Sequence, residues 1–244
     1  MSGASAVLAS GPVIPTFGKT SKCVKTNGNF CTDWVHTNWD KVLKPALIQH
    51  IELTLIALGI GFVISFSLAL LAHRLQWLAA PVTFFGSLLY TIPSLATFEV
   101  LVPYTGINRY TVEIALVSYT LLILFTNSLA GLSGVSPEIL DAARGNGLSR
   151  GQILTKVELP LALPTIIAGV RVAAVTMISL VTIASFIVPE GLGKPILDAV
   201  NNNVFKTELF AAGGLAVILA LFADALLAGT QRILTPWASA RRSR

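Results

Sequence analysis

Five stretches of the chain, residues 53–72, 75–98, 114–137, 172–189 and 209–223, run without a single Asp, Glu, Lys or Arg. A helix needs about 20 apolar residues to cross the hydrocarbon core of a bilayer. The last two stretches reach that length by passing one charge each, Arg171 and Asp224. The pattern predicts five spanning helices over about 50–72, 76–101, 112–133, 163–188 and 208–230. A buried helix of a soluble protein is the alternative for any one run, but five in succession leave no amphipathic layer to shield them. The expected fold class is an all-α membrane protein.

Composition agrees with the pattern. Hydrophobic residues make up 54% of the 244 positions and charged residues 12%, with a mean hydropathy of +0.74. A soluble domain carries about a quarter of its residues as charges, so water-soluble, disordered and disulfide-scaffold classes are excluded. The chain divides into a polar tail over 1–47, a transmembrane domain over 48–231 containing a loop at 134–162, and a basic tail over 232–244. Gly11, Pro12 and Pro15 interrupt the most apolar part of the first tail, so a signal peptide is not expected there. Residues 34–49 predict an amphipathic helix, with Trp34, Trp39 and Leu43 lying in the membrane interface.

The net charge of +5 reads as a topology signal. With the N-terminus outside, the inner segments hold Arg74, Arg144, Arg150, Lys156, Arg232, Arg241, Arg242 and Arg244, eight in all. The outer segments near span ends hold five: Lys41, Lys44, Arg109, Lys194 and Lys206. Cytoplasmic loops carry the excess of Lys and Arg, which favours N-out and C-in. No basic stretch is interleaved with aromatics, so nucleic acid is not an expected partner.

The longest inner segment carries the most specific pattern. Ser136 before Pro137 marks a helix start, and Glu138 suits the positive end of its dipole. Ile139, Ala142 and Ala143 share one face, Gly145 and Gly147 permit a sharp turn, and Ser149 can cap a second short helix toward Pro160. The segment therefore predicts helix, glycine turn and helix on the cytoplasmic side.

Asp141-Ala142-Ala143, three residues, Gly147, nine residues and Val157-x-Leu159-Pro160 resemble the EAA signature of ATP-binding-cassette importer permeases, with Asp in place of Glu and Val in place of Ile. The resemblance implies a type I importer permease core of about five helices, N-out, whose loop forms a coupling helix docking into an ATPase subunit. Gly169-Val170-Arg171, the following span and Gly191-Leu192-Gly193 look like the permeases of osmoprotectant importers, which carry glycine betaine, choline, carnitine or proline. That family implies a multi-pass subunit of a bacterial cell membrane. Its implied partners are cytoplasmic ATPase subunits holding ATP and Mg, a second permease subunit in a homo- or heterodimer, an external substrate-binding protein and a small-molecule substrate. A permease for an amino acid such as methionine shares the signature, and an ATP-independent channel or membrane receptor would lack need of it.

Catalytic chemistry is not expected on this chain. Gly18-Lys19-Thr20 imitates the end of a phosphate-binding loop, but the position needing the first glycine is Val13. Gly145, Gly147 and Gly151 follow a predicted helix where a dinucleotide fingerprint follows a strand. His36, His50 and His73 are too far apart to share a metal, since the last two bracket a span of roughly 30 Å at about 1.5 Å per residue. Cys23 and Cys31 enclose seven residues in a tail facing an oxidising space, which points to a disulfide, with free thiols or a metal as alternatives.

Charges inside spans are expensive and need a reason. Arg171 and Asp224 fall at similar depths from the cytoplasmic side, which suggests a pair within the subunit or across a dimer; separate snorkelling is the alternative. Thr91, Pro93 and Ser94 interrupt the second span, and broken helices line many transport paths. Tyr90 could lie on that path with Tyr104 and Tyr119, and Glu99 could meet substrate or pair with Arg109. Residues 191–204 predict an external helix and turn that receives the binding protein.

Overall fold

The structure, a computed structural model, describes residues 22–202 and 204–239. The phosphate-loop imitation at Gly18-Lys19-Thr20 and the terminal Arg241, Arg242 and Arg244 lie outside the described residues. The chain begins with α1 (Lys22–Lys25) and α2 (Thr32–Asn38), which passes through a π-helical turn (Trp39–Leu43) into α3 (Lys44–Arg74). A short 3₁₀ turn leads to α4 (Ala79–Thr91), followed by α5 (Ser94–Thr105) and α6 (Arg109–Ser133). Next come α7 (Pro137–Gly145), α8 (Arg150–Ile153), a second π-helical turn (Leu154–Glu158) and α9 (Leu159–Ala184). The chain closes with α10 (Gly193–Asn201), α11 (Lys206–Leu234) and α12 (Pro236–Ser239).

Four continuous helical stretches among the described residues are long and apolar enough to cross a membrane: Thr32–Arg74, Arg109–Ser133, Arg150–Ala184 and Lys206–Leu234. The fifth is a pair, Gln76–Thr91 and Ser94–Thr105, bent by 96°. Several helices overrun the expected spans because helical geometry continues into polar flanks that an apolar-run criterion excludes. The expected separate amphipathic helix at 34–49 is part of the first long helix. Trp34 and Leu43 are not interfacial anchors, since both are buried in one cluster, Trp34 against Phe205 with ring centroids 5.4 Å apart, and of the three only Trp39 is exposed.

The core is a triad of α3, α6 and α9 packed by close approach. In lipid no hydrophobic force drives helices together, so small residues that let backbones touch take that role. The buried stripe of α3 is Ala46, His50, Leu53, Thr54, Ala57, Gly61, Ser65, Ala69 and Ala72, mostly small side chains at helical spacing. A Cβ on Gly61 would sit 1.8 Å from Thr120 Oγ1 of α6, and one on Gly169 of α9 would sit 2.4 Å from Asn127 Cβ. Phe98 from α5, Leu116 and Tyr119 from α6, and Met177 and Val181 from α9 fill the outer part of this core. Only the first turns of α11 are buried, at Thr207, Glu208 and Ala212, so most of that helix presents its sides to lipid or a partner.

One buried histidine locks the outer end. Leu192 N–H donates to His50 Nδ1 at 3.2 Å, so the ring proton sits on Nε2, which donates to Ile178 O at 3.0 Å. Gly191 N–H donates to the neighbouring Gln49 Oε1 at 3.2 Å. Gly191 has φ +69, and a side chain there would press on His50. These bonds fasten the turn after α9 to α3.

Candidate functional site: the inner loop and the broken second helix

The inner loop is built from two halves with opposite surroundings. Ser136 precedes Pro137, and its hydroxyl donates to Glu138 instead of capping the backbone. A hydrogen bond from its own backbone N–H, and then the Ser136 hydroxyl, hold the exposed Glu138 carboxyl below its ordinary pKa. Helix α7 buries no residue within this chain, and Asp141, Ala142 and Gly147 are exposed. Arg144 Nη1 donates to Asp141 Oδ1 at 2.7 Å. Of the two glycines expected to turn, only Gly147 does so, with φ +79; Gly145 stays in the helix. Gly147 N–H reaches Arg144 O at 2.9 Å and Leu148 N–H reaches Ala143 O at 3.2 Å, the paired bonds of a Schellman ending.

After the turn the chain re-enters the membrane domain. Ser149 and Gln152 form a reciprocal capping box at the start of α8. The expected short second helix instead runs on through the π-helical turn into α9, making Arg150–Ala184 one 35-residue element. Pro160 lies inside this element directly after the π-helical turn, the irregularity at which a helix accommodates a missing N–H. Leu159 packs on a cluster of Leu132, Ala162 and Ile166, and Val157 is half-buried. Glu158 is buried, and its Oε1 lies 3.3 Å from His73 Nε2 at the end of α3. Thus Asp141 to Gly147 project while Val157 to Pro160 anchor the projection.

The second span breaks where Ile92 and Pro93 take extended backbone, ψ 130 and ψ 134. Proline disfavours helical geometry in the residue before it and supplies no N–H. Tyr119 of α6, only 5% exposed, donates its hydroxyl to the freed Ile92 carbonyl. The same hydroxyl lies 2.9 Å from Thr97 Oγ1. Tyr90 meets Tyr119 edge-on with centroids 5.9 Å apart, and Thr91 donates back to Ser87 O at 2.7 Å. Tyr90, Thr91 and Pro93 are exposed and Ser94 is half-buried at this bend. Tyr104 is 85% exposed and takes no part in the cluster.

Arg171 and Asp224 face each other within one chain, linked by two parallel bonds of 2.8 and 2.9 Å. Gln231 extends the group, accepting from Arg171 Nη1 at 3.4 Å and donating to Pro164 O at 2.9 Å. Glu99 is exposed, and Arg109 lies instead against Glu52 at 3.1 Å and Glu113 at 3.9 Å. Cys23 and Cys31 are joined by a disulfide. No group of three or more His, Cys, Asp or Glu among the described residues is arranged to hold a metal.

The family described as binding-protein-dependent transport system inner membrane component matches residues 51–237. The chain belongs to that family. Within it, the glycine betaine/carnitine/choline transport system permease protein OpuCB of Bacillus subtilis is 33% identical over 189 residues, covering 77% of this chain and 86% of the relative. The osmoprotectant import permease protein OsmW of Salmonella typhimurium is 34% identical over 212 residues, covering 84% and 98%. Among solved structures, an inward-facing MetNI methionine ABC transporter matches with TM-score 0.74 at 18% identity, covering 82% of this chain and 98% of that one. The last likeness concerns the fold, which is that of an importer permease.

For this inner-membrane transport component, the sequence missed the anchors more than the projections. Thr97 at the broken helix, Glu158 and His73 below the loop, and His50 under Gly191 act through partners distant in sequence, and Tyr119, expected beside the path, binds the Ile92 carbonyl in a way its sequence context did not show. The one local signal was the proline at 93, which marks where a carbonyl must be freed.

Proposed function

We propose that this membrane component is the permease subunit of an ATP-driven importer of small osmoprotectants of the glycine betaine, choline and carnitine kind. The observation that carries the reading is the identity of 33–34% to permeases named for those cargoes, extending over 86–98% of their length. In this reading the chain is N-out and C-in, with α7 as a coupling helix against a cytoplasmic ATPase that holds ATP and Mg. The unburied side of α7, with Ile139 39% exposed beside Ala142, suits insertion into a protein groove. The buried His73–Glu158 contact and the Leu159 cluster would carry a push on α7 into α3 and α9. A second permease subunit would complete the pathway, with the bend at Ile92–Pro93 beside it, and an external binding protein would deliver the cargo.

The test is uptake of radiolabelled glycine betaine, choline, carnitine, proline and methionine by cells carrying the complete transporter. Energy-dependent uptake of a quaternary amine, competed by the others of its class, is the expected result. Uptake of methionine alone, or uptake indifferent to ATP depletion, would overturn the proposal.

A further inference from the structure

The outer end of the molecule holds a cleft that neither the bend in the second span nor the inner loop uses. It encloses about 440 Å³ between α2, the start of α3, α10 and the first turn of α11. One wall depends on the N-terminal segment, which is pinned across the chain. The Asn27 side chain donates to Val204 O at 3.1 Å and accepts from Lys206 N–H at 3.1 Å, while Cys31 N–H donates to Thr207 Oγ1 at 2.9 Å.

The lining is of mixed sign, and its charges are not mutually cancelled. Lys194 and Asp198 satisfy each other at 2.7 Å. Glu208 does not share in that pair: the residue is only 8% exposed, yet its carboxylate has no hydrogen bond and no cation within 4 Å among the described residues. A largely buried carboxyl without a partner is costly to keep ionised, so it takes up a proton or a cation, and its opening into the cavity leaves room for the cation. The indole of Trp34, packed against Phe205, borders the same space, and an aromatic ring beside a carboxylate is the environment an organic ammonium favours. Lys41 supplies the opposite sign on the rim, exposed and without an ion pair among the described residues.

We infer that this outer cleft binds a small zwitterion, its ammonium end toward Glu208 and Trp34 and its carboxylate end toward Lys41. The inference rests on the reading of the chain as a permease with its N-terminal segment outside. It adds a solute site on the permease itself, apart from the transmembrane path.

Equilibrium dialysis of radiolabelled glycine betaine against the full chain with its partner subunits in lipid nanodiscs, without binding protein, tests it. Saturable binding is expected, weakened at least tenfold by Glu208→Gln and also by Lys41→Gln, a surface change that leaves the buried core untouched. Choline, which lacks the carboxylate, should bind more weakly and be insensitive to Lys41→Gln. Absence of saturable betaine binding, or binding unchanged in both variants, overturns the cleft. Uptake by the complete transporter is read separately: uptake of betaine without dialysis binding sinks the cleft and spares the proposed cargo. If no osmoprotectant is taken up, the cargo reading falls, and dialysis still upholds or overturns the cleft.

Discussion

Gly147 is the residue on which the inner loop turns. Its φ of +79 lies in the left-handed region, where a Cβ crowds the carbonyl and costs roughly 1–2 kcal/mol, more for a branched side chain. No side chain occupies the space around it, so the constraint is conformational and has nothing to do with room. Gly147→Val should therefore leave membrane insertion intact while reducing ATPase co-purification and uptake at least tenfold; normal values for both would remove the coupling role. Arg171 and Asp224 pose a different case, because each neutralises the other through parallel bonds. Removing one leaves the other unpaired at membrane depth, so Arg171→Ala alone should lower the unfolding temperature in detergent more than Arg171→Ala combined with Asp224→Ala. A double variant at least as unstable as the sum of the singles would count against the pair. Opposite sign and matching depth made these two residues legible from sequence. Their bidentate geometry and the addition of Gln231 were not, since those depend on how α9 and α11 cross.

Among the elements, the second span departs most from its sequence pattern. An apolar run without charges over residues 75–98 looks like one helix by composition, yet the chain turns through 96° within it. Pro93 gives the position of the break and the extended backbone of Ile92 and Pro93 makes the turn; Tyr119 braces it, its hydroxyl satisfying the freed Ile92 carbonyl and meeting Thr97. Tyr119→Phe keeps the ring and deletes those bonds. A loss of about 1 kcal/mol is expected for the part-buried hydrogen bond removed, visible as a lower unfolding temperature, together with reduced uptake at unchanged membrane levels. Unaltered stability would show that the bend does not depend on that hydroxyl. The loop also becomes intelligible at this scale. Asp141, Ala142 and Ala143 sit on a helix that buries no residue in its own chain, while Leu159 and Glu158 belong to the membrane core. The motif is thus a projection and its root, and their separation in space follows from the capping box at Ser149 and the π-helical turn that joins α8 to α9.

For the molecule as a whole, the N-terminal segment acts as a clip over the outer end of α11. The disulfide closes a loop with a sequence separation of 8, worth about 2.5 kcal/mol if it acts by restricting the unfolded chain. Around it Val24, Cys31, Trp34, Leu43 and Phe205 form a buried cluster. Cys23→Ser with Cys31→Ser, or reduction of the native chain, should lower the unfolding temperature and expose 22–31 to proteolysis before the membrane helices yield. Equal protease resistance with and without reductant would show that the cluster suffices without the bond. Scarcity of charge and runs of spanning length leave only a bilayer as surroundings, so the solvent is legible along the chain, and so is the loop motif, because spacing along one chain survives any packing. Tertiary structure decided what those residues face. Gly61 against Thr120, His50 against Leu192 and Ile178, and Glu158 against His73 are contacts between helices far apart in the chain. Their energies come from distance and geometry in space, to which a one-dimensional pattern of polarity is blind.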